Sequence, residues 1–455
     1  MRPDYAPLLG DAAARATAYL ADVDERPVFP DDAARNGLRA FDEGLPTTPT
    51  DPAAVLALLD DYGSPATVTS NGPHYYGYVL GGANPAALAA DWLASAWDQC
   101  ASTPVTSPAA HAVEAAGARL LLEALDLPRD AAVGFGTSAT ACGLGLLACA
   151  RAELCRRRGY DLHARGLAGA PPVRLVVPDT VHVTVLKAAK LLGFGTDNVE
   201  RVPTDAQGRI DPAALPSLDD ACILVLQAGE VNTGSFDDFA ALIPLARAAE
   251  AWVHVDGAFG LWARAAPALA HLTAGIELAD SWTTDGHKTL STPYDGAVAI
   301  CRHGEAYAKT MDAATVYAPA SATSQSALTL EFSRRARGIP IWATLRTMGR
   351  EGLAAHVTGL HERARELADG CRAVGLEVLN EVTFNQVLCR LPGSPERQAD
   401  FVARLQAGGR LWFGTTVWRG RPAFRLSVSH FATGPEDIAR AVVVLGEGLT
   451  HSTPT

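Results

Sequence analysis

Lys288 lies in the stretch Ser281-Trp-Thr-Thr-Asp-Gly-His-Lys-Thr-Leu290, and Asp256 closes the apolar run Trp252-Val-His-Val-Asp256. The two positions are 32 apart, room for a crossover and a second strand. A lysine and a carboxylate at neighbouring strand ends suit one cofactor well. The amine condenses with the aldehyde of pyridoxal phosphate (PLP), and the carboxylate pairs with the pyridinium nitrogen. A surface lysine and a loop aspartate would look the same in isolation, so the other motifs decide.

Gly134-Phe-Gly-Thr-Ser-Ala-Thr-Ala-Cys-Gly143 follows a short apolar run and precedes a helical one, Leu144–Arg151. Free amides at a helix start bind anions. Ser138 and Thr140 would add hydroxyl donors to a phosphate. The segment lacks the G-x-x-x-x-G-K-[ST] pattern, and G-x-G alone is a weak dinucleotide signal. A glycine-rich turn that binds nothing remains an alternative. His182, in Pro178-Asp-Thr-Val-His-Val-Thr-Val-Leu-Lys187, follows a strand-like run. There a flat imidazole can stack on a cofactor ring and move protons. A helix-start histidine bonded to backbone is the equal alternative. His254 and Asp256 share a strand face and suggest a metal pair, but no third ligand is evident, so no metal is expected.

These residues need a scaffold. Short β-rich runs at Val173–Val177, Cys222–Leu226, Trp252–Val255 and Ala297–Cys301 alternate with helix-period segments such as Asp238–Ala251. That alternation predicts an α/β fold with a mainly parallel sheet covered on both faces. After about residue 340 the pattern changes. A long helix (about 341–373) precedes strands near 376–379 and 385–391, a helix (about 396–407), and strands near 412–418 and 423–428. A last helix opens at Thr433-Gly-Pro-Glu436, a capping-box pattern. The expected division is an N-terminal helical and loop arm (1–95), a large α/β domain (96–335) and a small α+β domain (336–455). The proline-rich arm does not read as an independent core, and packing on a partner subunit suits it.

The 455 residues exceed one simple core. A net charge of −12 argues against nucleic acid, whose phosphates require a basic surface. Residues 131–150 carry no charge and match a membrane span in length. Their glycine- and hydroxyl-rich first half reads better as strand, loop and buried helix. No signal peptide is read at the N-terminus, which has early acids and no apolar core. The eight cysteines contain no C-x-x-C pair and read as reduced thiols of a cytoplasmic protein.

Together the segments resemble fold-type-I PLP enzymes, specifically the group II amino-acid decarboxylases, which include aromatic-amino-acid, glutamate and histidine decarboxylase-like proteins. The carrying motifs are His254-Val-Asp-Gly-Ala-Phe-Gly260, Ala279-Asp-Ser-Trp282, Gly286-His-Lys288, Asp179–Lys187 and Phe135-Gly-Thr-Ser-Ala-Thr140, in order from about His74 to near the C-terminus. The resemblance implies a seven-stranded-type large domain. It also implies Lys288 as Schiff-base lysine, Asp256 as pyridinium partner and His182 as stacking histidine. Ser138, Ala139, Thr140 and His287 would meet the phosphate, and Asn232 would lie near the ring. Tyr78, Pro104 and Arg425 would lie on the substrate side, Arg425 binding a carboxylate. The implied reaction is decarboxylation of an L-amino acid to its amine by a homodimer. One departure bears on this. Relatives carry a mobile-loop tyrosine that protonates Cα. The comparable stretch, Ser321–Leu328, has none, and Tyr317 comes a few residues early. Oxidative deamination, transamination or carbon–carbon cleavage is therefore the alternative. Glu230, beside Asn232-Thr233, is expected to face solvent, with selection of a cationic or hydroxylated substrate group as the alternative.

Overall fold

The computed structural model describes residues 4–312 and 323–450. In chain order, β1 (Tyr75–Tyr76) precedes β2 (Ala132–Gly136), β3 (Arg174–Pro178), β4 (Val199–Val202), β5 (Cys222–Gln227), β6 (Trp252–Asp256), β7 (Ser281–Asp285) and β8 (Ala297–Cys301). Four more follow: β9 (Glu377–Val378), β10 (Gln386–Arg390), β11 (Trp412–Trp418) and β12 (Arg421–Ser427). Strands β2 to β8 form one seven-stranded sheet in the order β2-β8-β7-β6-β5-β3-β4. Only β8 runs antiparallel to its neighbours, so the sheet is mainly parallel, as the alternating pattern predicts.

Every residue of β5 is buried, as a central strand covered on both faces requires. Its side chains alternate. Cys222, Leu224 and Leu226 join the core cluster containing Phe239 and Leu242. Ile223 and Val225 join the cluster containing Leu146 and Ala188. Period-two alternation thus feeds two cores from one strand. The uncharged window 131–150 is β2 followed by the buried helix Ala139–Arg157. Among the described residues no helix is long and apolar enough to cross a membrane.

The second sheet runs β1-β11-β12-β10-β9. Here β1, from the N-terminal arm, pairs in parallel with β11 through Tyr75 against Trp412 and Tyr76 against Phe413. The remaining pairs are antiparallel. The helix Gly338–Ala373 connects the two sheets and is not continuous: Gly349 adopts φ 60° and ψ −173°, so two helices meet there. The final helix, Pro435–Thr450, starts differently from the expected capping box. Asp437 accepts the Gly434 amide at 2.8 Å, while the Thr433 hydroxyl turns to the Pro73 carbonyl at 3.5 Å.

Candidate active site

Parallel strands aim their carboxyl ends at one edge, and that edge holds the chemistry. Asp256 ends β6, Asp285 ends β7, and Lys288 follows three residues later. The Lys288 Nζ lies 2.9 Å from Asp285 Oδ2. Asp285 Oδ1 accepts the Ala139 amide at 2.7 Å, and His287 Nε2 stands 3.7 Å from the same oxygen. Asp285 is buried and therefore ties the lysine to the start of the helix Ala139–Arg157. The sequence reading missed it, although it stands in the quoted Asp-Gly-His-Lys run.

That helix begins where the glycine-rich motif predicts. Ser138 is its N-cap, its hydroxyl accepting the Ala141 amide at 3.2 Å. Thr140 follows in the first turn, where amides have no intrahelical acceptor. A buried His287 Nδ1 accepts the Gly296 amide at 3.2 Å, and Tyr294 stacks on the ring at 4.1 Å.

His182 fulfils its helix-start reading. It caps the helix Val183–Leu191, its Nδ1 accepting the Thr184 amide at 3.4 Å and meeting the Thr184 hydroxyl at 2.8 Å. With Nδ1 accepting, the neutral ring carries its proton on Nε2. Burial lowers its pKa below the usual histidine value. Asp256 and Asp285 oppose that shift; Lys288 and Arg425 reinforce it. All four charged groups are therefore close enough to act on one imidazole.

Arg425 reaches the cleft from β12. Its Nη1 donates to the Val231 carbonyl, and its buried Nε has no partner among the described residues. Burial lowers its pKa, while Glu230 and Tyr78 act in the opposite direction. Glu230 is 1% exposed, which corrects the solvent-facing expectation. Its carboxylate accepts the Asn232 amide at 2.8 Å, the Thr233 amide at 2.7 Å and the Asn232 side-chain amide at 2.9 Å. These bonds hold the turn shut over the carboxylate. The Asn232 Oδ1 accepts from Thr416 on β11 at 2.7 Å, so both ends of that side chain are engaged by protein.

Tyr78 has φ 49° and is 64% exposed, with its ring 6.0 Å from Trp412. Tyr75 stacks on the same indole at 5.1 Å. Three residues on, Gly81 donates its amide to the His287 carbonyl at 3.3 Å, and a Cβ there would lie 1.9 Å from the Lys288 carbonyl oxygen. Only glycine permits that approach. Pro104 is half-buried in a turn closed by the Ser107 amide on the Thr103 carbonyl, and no hydrogen bond joins that turn to Lys288. Tyr317 lies outside the described residues. Of the stretch Ser321–Leu328, residues 324–328 are buried, and Gln325 bonds the Phe135 amide and Val133 carbonyl of β2. This part of the stretch is thus sheet packing and not a reaching loop.

A cavity of about 630 Å³ lies at the opposite strand ends, beside Arg156, His303 and Lys309. Two ion pairs line it, Lys309 with Asp161 at 3.6 Å and Arg156 with Glu153 at 2.7 Å, and it holds none of the groups above. Among the described residues no three His, Cys, Asp or Glu side chains cluster as a metal site.

An amine, a carboxylate, an imidazole and a helix start converging on one cleft match the donor set PLP needs. The family model of the pyridoxal-dependent decarboxylase conserved domain matches residues 36–391. The chain belongs to this family. Among curated relatives, the L-2,4-diaminobutyrate decarboxylase of Rhizobium meliloti (strain 1021) is 27% identical over 441 residues, covering 90% of this chain and 85% of the relative. Tryptophan decarboxylase 1 of Oryza sativa subsp. japonica is 27% identical, covering 78% and 76%. In structure, Oryza sativa TDC solved with PLP and tryptamine superposes with TM-score 0.90 at 24% identity, covering 99% of each chain. Rhodiola rosea 4-hydroxyphenylacetaldehyde synthase superposes with TM-score 0.86 at 20% identity, covering 98% of this chain and 99% of that one. The family gives PLP-dependent chemistry of the decarboxylase type. The last two likenesses show a shared fold, and that fold carries both an amine-bound and an aldehyde-named protein.

Proposed function

We propose that this chain decarboxylates an L-amino acid to its amine, with Lys288 holding the PLP aldehyde. The observation that carries the reading is the convergence of Lys288, Asp256 and His182 at strand ends beside the helix start at Ser138. When bound, PLP supplies a ring that takes up the electron pair left at Cα. The chain's residues do the rest. Asp256 would hold the proton of the ring nitrogen, and the His182 ring would lie against the cofactor face. Ser138, the Ala139 and Thr140 amides and His287 would receive the phosphate, with Asp285 yielding the Ala139 amide.

Arg425 has a buried Nε without a partner among the described residues, suited to a substrate carboxylate. Lys288 Nζ and His182 Nε2–H are the candidate donors for the proton at Cα. Excluding water from this cleft would strengthen each of these charge interactions. Tyr78, exposed on its aromatic stack, and Asn232 would border the substrate; Pro104 has less support. The alternative keeps the cofactor and changes the outcome at Cα: oxidative deamination, transamination or carbon–carbon cleavage. It rests on the absence of a tyrosine from 321–328.

The division into arm (1–95), large domain (96–335) and small domain (336–455) is part of the same proposal. So is a homodimer. Leu8, Leu9, Leu45, Trp92, Leu93 and Trp97 are exposed, and the helix Ala6–Ala21 buries none of its residues. Large exposed apolar side chains in that number within the arm suit burial against a second copy. A monomeric mass in light scattering would refute the dimer.

Incubating PLP-loaded protein with an amino-acid panel under air, with mass-spectrometric product analysis, tests the reaction. An amine with release of CO2 is expected. An aldehyde with ammonia, a keto acid or a cleaved fragment would replace decarboxylation by the alternative.

A further inference from the structure

His254 is a buried titratable group that the scheme above leaves without a task. It sits two residues before Asp256 on β6, so both side chains leave the same face of the strand. Val253 and Val255 pack into the opposite core. His254 and Asp256 line one small cavity with Thr140, Thr184 and Thr283.

The ring's tautomer follows from its neighbours. Trp252 Nε1, a donor only, bonds Ser281 Oγ at 3.0 Å, and the same oxygen stands 2.9 Å from His254 Nδ1. The indole takes one lone pair of the Ser281 hydroxyl, whose proton has no acceptor other than Nδ1 among the described residues; with that proton donated to Nδ1, the neutral imidazole keeps its own on Nε2. Burial holds the ring neutral, lowering its pKa to about 4, with Asp256 opposing. Asp256 Oδ1 accepts the Ala258 amide at 3.2 Å, and its second oxygen has no protein donor among the described residues. The free donor of one side chain and the free acceptor of the other thus share a small cavity with three threonines, where one bridging water can join them.

We propose that His254 is a positioning residue for Asp256, fixed by Trp252 and Ser281 in the tautomer whose Nε2–H donates toward the Asp256 carboxylate. It keeps that carboxylate ionised and aimed, as an outer partner does for a ligating group. The inference rests on Asp256 being the partner of the ring nitrogen.

The test compares wild type, His254→Leu, His254→Gln and Ser281→Ala. It measures PLP affinity by fluorescence quenching, the pH dependence of the bound chromophore's absorption, and apo-protein melting. Gln keeps a donor near the Nε2 position; Leu does not. Loss of a charge-assisted hydrogen bond should weaken PLP binding about tenfold in His254→Leu and shift the chromophore's pH midpoint. His254→Gln should recover most of both at a similar melting temperature. Ser281→Ala, which keeps the imidazole and frees its tautomer, should fall between, and it carries the test if His254→Leu fails to fold. Equal PLP affinity and pH midpoint in the Leu and Gln variants would overturn the inference. So would a loss of affinity that tracks apo melting alone. A wild-type chain that takes up no PLP would instead overturn the cofactor reading.

Discussion

At the cleft, the seven-stranded sheet presents side chains already bonded to one another, whereas the five-stranded sheet presents Arg425 with one hydrogen-bond partner among the described residues, the Val231 carbonyl. On the first side, Lys288, Asp285, the Ala139 amide and His287 form a closed set. On the second, contact across the cleft runs through Arg425 to Val231, Thr416 to Asn232, and Asn380 and Thr383 to the Thr233 and Gly234 carbonyls. A reacting centre benefits from groups that need no reorganisation. A substrate-holding surface benefits from a separate body able to tighten on its ligand. The large sheet would therefore govern turnover, and the small sheet would govern affinity.

Four substitutions and one titration would break or sharpen that division. Lys288→Ala should lower kcat by at least about 10³-fold, as removal of a central nucleophile or proton carrier does. Turnover at the native rate in single-turnover kinetics would end the mechanism. Asp256→Asn should cost on the order of 10²–10³-fold in kcat with a smaller change in KM, since it removes charge aimed at the reacting system. Arg425→Leu should act the other way, raising KM roughly 10–100-fold through loss of a charge-assisted bond while the amine product binds unchanged. A fall in kcat alone would place Arg425 with the chemistry and erase the contrast. Thr416→Val removes one hydrogen bond across the cleft and should raise KM only a few-fold, about 0.5–1.5 kcal/mol.

The smallest contrast is expected in acid. His254 in the large sheet and His430 beside the small one both have pKa values lowered to about 4 by burial. As pH falls below about 6.5, the unfolded chain binds protons that the folded chain refuses. Their contribution is therefore intact above pH 6.5 and lost progressively down to about 4. Melting temperature against pH should fall over that window, and His430→Leu should flatten the fall. An unchanged slope would show that the His430 ring is not held neutral in the folded chain.

What the sequence made legible follows from locality. Asp256 and His182 stand at or just after apolar runs, so their placement at strand ends needs only the strand to form, whereas Lys288 follows the polar strand Ser281-Trp-Thr-Thr-Asp285 and was legible through its motif. Asp285 was equally close to Lys288, but its role depends on a helix start 146 positions away in sequence. Glu230 looked like a surface acid because its partners are backbone amides of its own turn, and residue type does not reveal such bonds. Thr433-Gly-Pro-Glu436 announced a helix correctly, yet a neighbouring carboxylate, Asp437, supplied the cap. The kink at Gly349 left the long helix in one apolar register, so periodicity read straight through it. Strand β1 is too short to carry any pattern.

That short strand has a consequence for how the protein is made. Tyr75 and Tyr76 leave the ribosome early, but their strand partners, Trp412 and Phe413, come near the end of synthesis. At about 5–20 residues per second, the arm waits on the order of tens of seconds with its aromatic residues unpaired. The glycine that seats the lysine loop belongs to the same arm. A nascent chain can therefore assemble its parallel sheet and still lack a finished cleft until its two ends meet.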